Sequence, residues 1–291
     1  MNVTPRKLFT VFNYIVLTLL GLACLLPILH ILAISLSSSA YVSAGEVNLI
    51  PIGLTLKAYD FVANRPEFIR AFQVSLFRVA LGLSLNIFLA ITSAYVLSKE
   101  PKTFRWRTFY VWYFIITTLF NGGLIPGFLV VRATGLINSI WALVLPGAVQ
   151  TFCVILLMNF FRGLPKEMEE AACIDGAGHI RMLIQIFIPT STPAIATITL
   201  LMIVFHWNSW FDGLIFMNRP ENYPLQSYLQ TVIISPDLKF SSSIDIEVLK
   251  TVSERTSRAA QIFLGTLPIL IVYPLLQKYF MKGLVFGSVK G

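Results

Sequence analysis

His30, His179 and His206 are the only histidines in the sequence, and they lie far apart. No HExxH pair is present to hold a metal, and no nucleophile stands at a spacing that would set it beside a base. Cys24, Cys153 and Cys173 are equally scattered and form no CxxC pair, so neither a zinc site nor a disulfide framework is indicated. No GxxxxGK[ST] run occurs, so the chain has no phosphate-cradling loop of its own. The pattern argues against a catalytic centre and against a bound metal or cofactor. Two sets of polar residues remain. One is a charged, glycine-containing stretch at residues 165–189; the other is Arg78, His206, Asn208 and Asp212, set in long apolar runs.

Those apolar runs fix the class. The sequence is 56% hydrophobic and 12% charged, more apolar surface than a soluble domain can hide, and runs of about 20 apolar residues match a bilayer in length. The expectation is an all-α, polytopic membrane protein, one transmembrane domain over residues 1–291 with about six spans. The spans fall near residues 11–36, 72–97, 109–131, 137–161, 189–216 and 259–280, with an inner loop at 162–188 and a large outer loop at 217–258. Arg6 and Lys7 precede the first run and Val42-Ser43-Ala44 has the look of a cleavage site, but the run is longer than the about 7–15 residues of a signal-peptide core, so an uncleaved span is expected. Pro27 is placed to kink span one, and Asn121-Gly122-Gly123 with Pro126 to interrupt span three.

The formal net charge of +8 reads as positive cytoplasmic flanks, not as nucleic-acid binding. With the N-terminus inside, the short segment holding Lys99, Lys102, Arg105 and Arg107 is cytoplasmic, as are Arg162, Lys166 and Arg181. The longer outer segments carry fewer basic residues. Both termini and the 162–188 loop are thus expected in the cytoplasm.

Within that loop, Pro165 suits a helix start, and Glu167, Glu169 and Glu170 sit where negative charge favours the positive end of the helix dipole. Gly176 and Gly178 supply conformations that end a helix, and an apolar pattern resumes before Pro189. The prediction is a short helix, a glycine turn and a second helix at the membrane surface. Arg78, about two turns inside span two, either attracts an anionic substrate or snorkels to the headgroups, and snorkelling is the expected role. His206, Asn208 and Asp212 share overlapping helix faces; lining a translocation path and interhelical hydrogen bonding both remain open. For Asn86, Asn121 and Gln150 interhelical hydrogen bonding is expected, and the aromatic clusters 106–112 and 207–211 read as interface anchors.

A spanning chain without a nucleotide loop must draw energy for uphill transport from a partner or an ion gradient. An ion-coupled secondary transporter needs intramembrane acids, of which Asp212 is the main instance. The other source is indicated by Glu170-Ala171-Ala172, three residues, Gly176, nine residues, Ile186, one residue, Ile188-Pro189. This resembles the EAA loop of permease subunits in binding-protein-dependent ABC importers, with Ile188 in place of the usual Leu. Asp175-Gly176-Ala177, the Trp207-Asn208 pair and the tail ending Gly287-Ser288-Val289-Lys290-Gly291 are similar to the MalG-like sugar branch and its LplC-like group.

The resemblance implies a type I ABC importer (MetI/MalG-like) transmembrane domain that forms half of a pore and is not itself an enzyme. It implies a homologous second permease subunit, two ABC ATPase subunits holding ATP and Mg, and an extracytoplasmic solute-binding protein. It assigns ATPase coupling to Glu170, Ala171, Ala172, Asp175, Gly176, Ala177, Gly178 and Pro189, and an ATPase-contacting tail to Lys290 and Gly291. Segments 220–224 and 245–258 would face the solute-binding protein. The implied cargo is an oligo- or polysaccharide, with anionic sugars such as alginate within the group's range.

Overall fold

The structure, a computed structural model, describes residues 5–234 and 253–288. Among the described residues it is built of helices: α1 Pro5–Ser35, α2 Ser39–Ala44, α3 Lys57–Ala63, α4 Pro66–Ser98, α5 Arg107–Leu119, α6 Leu124–Ala133, α7 Ile140–Val144 and α8 Thr151–Arg162. Then come α9 Lys166–Ile174, α10 His179–Met182, α11 Ile188–Thr190, α12 Thr192–Asn208, α13 Phe211–Phe216, α14 Leu225–Ile234 and α15 Glu254–Ser288. The chain folds as two compact units, Met1–Ile69 with Leu229–Pro268, and Arg70–Tyr228 with Ile269–Gly291.

Among the described residues three helical stretches, Phe9–Ser35, Pro66–Ser98 and Glu254–Leu275, are each long and apolar enough to cross a membrane, and three bent pairs raise the number to six if each pair is one span. The bends have sequence causes. α5 and α6 meet at 114° where Phe120 is extended and Gly123 takes φ +88°; the Asn121 side chain accepts from the Gly123 N–H at 2.9 Å. Asn121 thus serves a local turn and not a neighbouring helix. The segment His179–Thr190 meets α12 at 83°, at Ser191 and next to Pro189 and Pro193, which cannot donate backbone hydrogen bonds. The run expected at 189–216 is therefore divided: it is preceded by helix from His179 onward, it ends at Asn208, and α13 follows as a separate short helix. The last helix begins at Glu254, earlier than residue 259.

In the first unit, the end of α1 is tied to the segment after it. Ser37 accepts from the Ile52 N–H at 3.0 Å, Ser35 and Tyr59 hydroxyls bond at 2.6 Å, and Ala33, Val42 and Val47 form a small core. The rest of α1 shows its apolar side chains outward, as suits a lipid-facing helix.

The second unit holds the larger core. Ala90 and Ala94 on α4, Val154, Leu157 and Phe161 on α8, and Ala194, Ile198 and Met202 on α12 are all buried together. Steps of three or four residues put each set on one helix face, and the alanines permit close backbone approach, the usual way helices associate in lipid. Asn86 is buried and donates to the Gly147 carbonyl at 3.1 Å, an interhelical bond as expected, whereas Gln150 accepts locally from Cys153.

Candidate functional site

α9 is a nine-residue helix. Pro165 stands just before its first residue, and Glu167 and Glu169 occupy its first turn, where they oppose the helix dipole. Its end is closed by glycine. The Asp175 N–H donates to Ala171 O at 3.0 Å and the Ala177 N–H to Ala172 O at 2.9 Å, and Gly176 sits at φ +73°, the left-handed conformation that glycine adopts without strain. Gly178 does something else: at φ −72° and ψ 166° it is extended and precedes α10. The expected helix–turn–helix is present, but one glycine makes the turn. After α10, Leu183–Phe187 form a π-helical turn, a wide turn often found where function needs an irregular helix.

The eight residues assigned to coupling do not share one face. Ala172 is buried against the unit's own core, so its small side chain lets α9 lie close on the permease. Glu170, Ala171, Asp175, Gly176 and Gly178 are exposed and Ala177 is half-buried. Pro189 stands in the bent segment before α12. Beside the exposed set, Ile174 is 87% and Ile180 75% exposed. Sequence reasoning missed these two isoleucines, because their apolar type reads as core and only the fold reveals which side of the turn they occupy. Lys290 and Gly291 lie outside the described residues, as does most of the 245–258 segment.

α9 is anchored from its first turn. Lys99, just past α4 and only 7% exposed, donates to Glu169 at 2.6 Å. On the surface Lys166 pairs with Glu100, which holds the Glu100 carboxyl below its usual value and the Lys166 ammonium above its own, through the hydrogen bond first and charge attraction second. A groove of about 660 Å³ runs along this face, lined among others by Lys99, Arg107, Arg162, Lys166, Glu169 and Glu170.

The second polar set behaves differently. Arg78 on α4 is 1% exposed and its guanidinium pairs with Asp212 on α13; it also donates to Ser209 O at 3.2 Å and Leu143 O at 3.4 Å. It does not snorkel, because its charge is met inside the helices. Asp212 also accepts from the Ser209 hydroxyl and the Gly213 N–H. His206 on α12 is buried beside Gly82 of α4, where a Cβ would run into the imidazole ring; its ring nitrogens have no hydrogen-bond partner among the described residues. Asn208 is exposed at the end of α12, apart from that cluster's hydrogen bonds. Trp207 is buried edge-on against Phe72 at 5.7 Å, so it is a packing residue and not an interface anchor, while Trp106, Phe109 and Trp112 are exposed as anchors should be. Among the described residues no cluster of three or more His, Cys, Asp or Glu is arranged to hold a metal.

No protein-family model matches the chain. It is similar to Protein LplC of Bacillus subtilis (strain 168), with 38% identity over 290 residues covering 100% of this chain and 97% of the relative. It is also similar to the polygalacturonan/rhamnogalacturonan transport system permease protein YtcP of the same organism, 37% identical over 287 residues, 98% of this chain and 99% of the relative. Among solved structures, a chain of a bacterial ABC transporter involved in the import of the acidic polysaccharide alginate superposes with a TM-score of 0.88 at 32% identity, over 96% of this chain and 99% of that chain. The ion-gradient alternative gives way here, and Asp212, the acid it relied on, is engaged by Arg78. The chain belongs to the family of ABC sugar-importer permease subunits: a multi-pass inner-membrane protein of MetI-like fold that is not itself an enzyme.

Proposed function

We propose that this permease forms half of the pore for an acidic oligo- or polysaccharide, and that α9 couples it to ATP hydrolysis. The observation that carries the coupling role is the outward face of the 165–180 segment. Glu170, Ala171, Ile174 and Ile180 are exposed together around the left-handed turn at Gly176. Exposed isoleucines suit a partner's cleft better than water, since apolar side chains fill the core of an interface, and Glu170 beside them offers a charged hydrogen-bond acceptor.

The complete transporter contains a homologous second permease, two ABC ATPases that bind ATP and Mg, and an extracytoplasmic solute-binding protein. Both termini of this chain lie in the cytoplasm, where Lys290 and Gly291 reach the ATPase pair, and the outer loop near Pro220–Asn222 meets the solute-binding protein. ATP closes the ATPase pair, α9 follows, and the spans pass from inward-facing to outward-facing. The sugar class is supported by the full-length similarity to the YtcP permease and to the alginate importer chain.

Arg78 fits a supporting role in this scheme. With Asp212 already at its guanidinium, it shapes the α4–α13 contact, and Asn208, exposed at the end of α12, is the group of this set to which we assign sugar contact. The test is reconstitution: the permease pair and ATPases in proteoliposomes, with the matched solute-binding protein and labelled acidic or neutral oligosaccharides outside. ATP-dependent accumulation of the acidic series is expected. Accumulation of neutral sugars alone would overturn the sugar class, and uptake without ATP would overturn the coupling.

A further inference from the structure

The ammonium of Lys99 has an unusual set of neighbours. Besides Glu169 at 2.6 Å it lies 4.2 Å from the Tyr95 ring centroid, 4.5 Å from the Phe187 ring centroid and 3.9 Å from the Met182 sulfur. Tyr95 packs edge-on against Phe187 at 5.0 Å and its hydroxyl is 3.3 Å from the His179 ring. The last turn of α4 and the residue that follows it, carrying Tyr95 and Lys99, therefore touch α9 through Glu169, α10 through His179 and Met182, and the π-helical turn through Phe187. We infer that this aromatic cage around Lys99 is the joint that carries the movement of α9 into α4, with Lys99 as a positioning residue of the transport cycle. The inference rests on the coupling role proposed for α9.

The physical reason is the charge. A buried ammonium is tolerated only while its compensating groups stay in place, and here one carboxylate and two ring faces supply that compensation. Drawing α9 or Phe187 away from α4 would strand the cation in apolar surroundings, so the three elements are held to move together. The neighbouring Lys166–Glu100 pair cannot serve in its place, because both partners are largely exposed and water replaces such a contact at little cost. The position of the cage also bears on Gly176. The turn is gripped on both sides by the same residues of α4, so it transmits a push and does not absorb it.

The experiment uses the assembled transporter in proteoliposomes and reads sugar taken up per ATP hydrolysed. Lys99→Met keeps the apolar stem and removes the charge, and Lys99→Arg keeps a cation that stacks on rings and pairs with a carboxylate. Phe187→Leu removes one ring face and leaves the Lys99–Glu169 pair. Mutations along a coupling element change coupling by about twofold to thirtyfold, so Lys99→Met should lower the ratio about tenfold, Phe187→Leu about threefold, and Lys99→Arg less than about twofold. A purely structural role would reduce the amount of assembled complex and leave the ratio per complex unchanged; that result overturns the inference. If Lys99→Met fails to assemble, Phe187→Leu decides by the same ratio. Loss of ATP dependence in the unmodified complex would overturn the functional reading itself, and an ATP-coupled wild type with unaffected variants would overturn the joint alone.

Discussion

Around Arg78 the polar contacts turn inward, whereas along α9 the acids and the isoleucines turn outward. The residue types are alike in the two regions: a basic residue, an acid, a glycine that admits close approach or a tight turn. Their surroundings differ. Arg78 and Asp212 meet among buried helices, with the Leu143 and Ser209 carbonyls also accepting from the guanidinium's two terminal nitrogens, where an unpaired charge has nowhere to go. Glu170 on a nine-residue helix and Asp175 just after it stand exposed, while the helix's inner face, through Ala172, is already satisfied. One arrangement ties helices to each other, and the other presents its side chains outward, as the proposed docking role requires.

Breaking the inner pair should have the largest effect. Asp212→Ala leaves Arg78 charged and buried, and removing one partner of a buried pair destabilises by about 3–5 kcal/mol. The thermal midpoint of the purified protein should fall sharply, and Arg78→Met combined with Asp212→Leu should recover most of the loss. An unchanged midpoint for Asp212→Ala would mean the cluster is wet, and the contrast between the two regions would disappear.

The outer face should respond in the opposite manner. Glu170→Lys is expected to leave the thermal midpoint in place while uptake falls by about tenfold or more, as loss of a central interface anchor does. Equal loss of stability and transport would show that Glu170 belongs to the fold and not to a docking face. A smaller effect separates the two glycines of the loop. Gly176→Ala forces a side chain into φ +73° with no steric neighbour within 4 Å, so backbone strain of about 1–2 kcal/mol is the whole penalty. Gly178→Ala, at φ −72°, should change stability by less than about 0.5 kcal/mol; matched effects in the unfolding curves would contradict the different roles assigned to them.

The smallest effect belongs to the exposed Lys166–Glu100 pair. Glu100 titrates below its usual 4.5 and Lys166 above its usual 10.5. The Glu100 contribution is therefore full above pH 4.5 and fades as pH falls through its depressed value. The Lys166 contribution is full below pH 10.5 and fades as pH rises through its raised value. Lys166→Ala should shift the midpoint slightly at neutral pH, and the shift should vanish in about 1 M salt, where the screening length is about 3 Å. A shift that survives high salt would mean that the pair is buried in the assembly.

Much of this was legible in the sequence, and the residues show why. Apolar runs and their Gly and Pro interruptions have local causes, so the breaks at Asn121-Gly122-Gly123 and between Pro189 and Pro193 could be anticipated from the chain alone. The loop's acids, glycine turn and fixed spacing were readable for the same reason. The destination of Arg78 was not, because Asp212 lies far along the chain and only the packing of α4 with α13 brings them together. Trp207 was misplaced on similar grounds: its type suits a membrane interface, and its burial depends on Phe72 in another helix. The Lys99 cage was hidden as well, since a lysine at the inner end of a span reads as a positive flank until Glu169 and Phe187 are seen to enclose it.

The central claim is that the outward face of α9 meets a cytoplasmic ATPase, and Cys173, exposed on that helix, permits a direct measurement. With Cys24 and Cys153 replaced by serine and the ATPase subunit carrying one cysteine in its permease-facing cleft, a short thiol crosslinker should join the two chains in inside-out vesicles. The yield should change on adding ATP, and Cys173→Ser should abolish it. Labelling of Cys173 by a membrane-impermeant thiol reagent from outside intact cells, with no ATPase captured from the inside, would contradict the account.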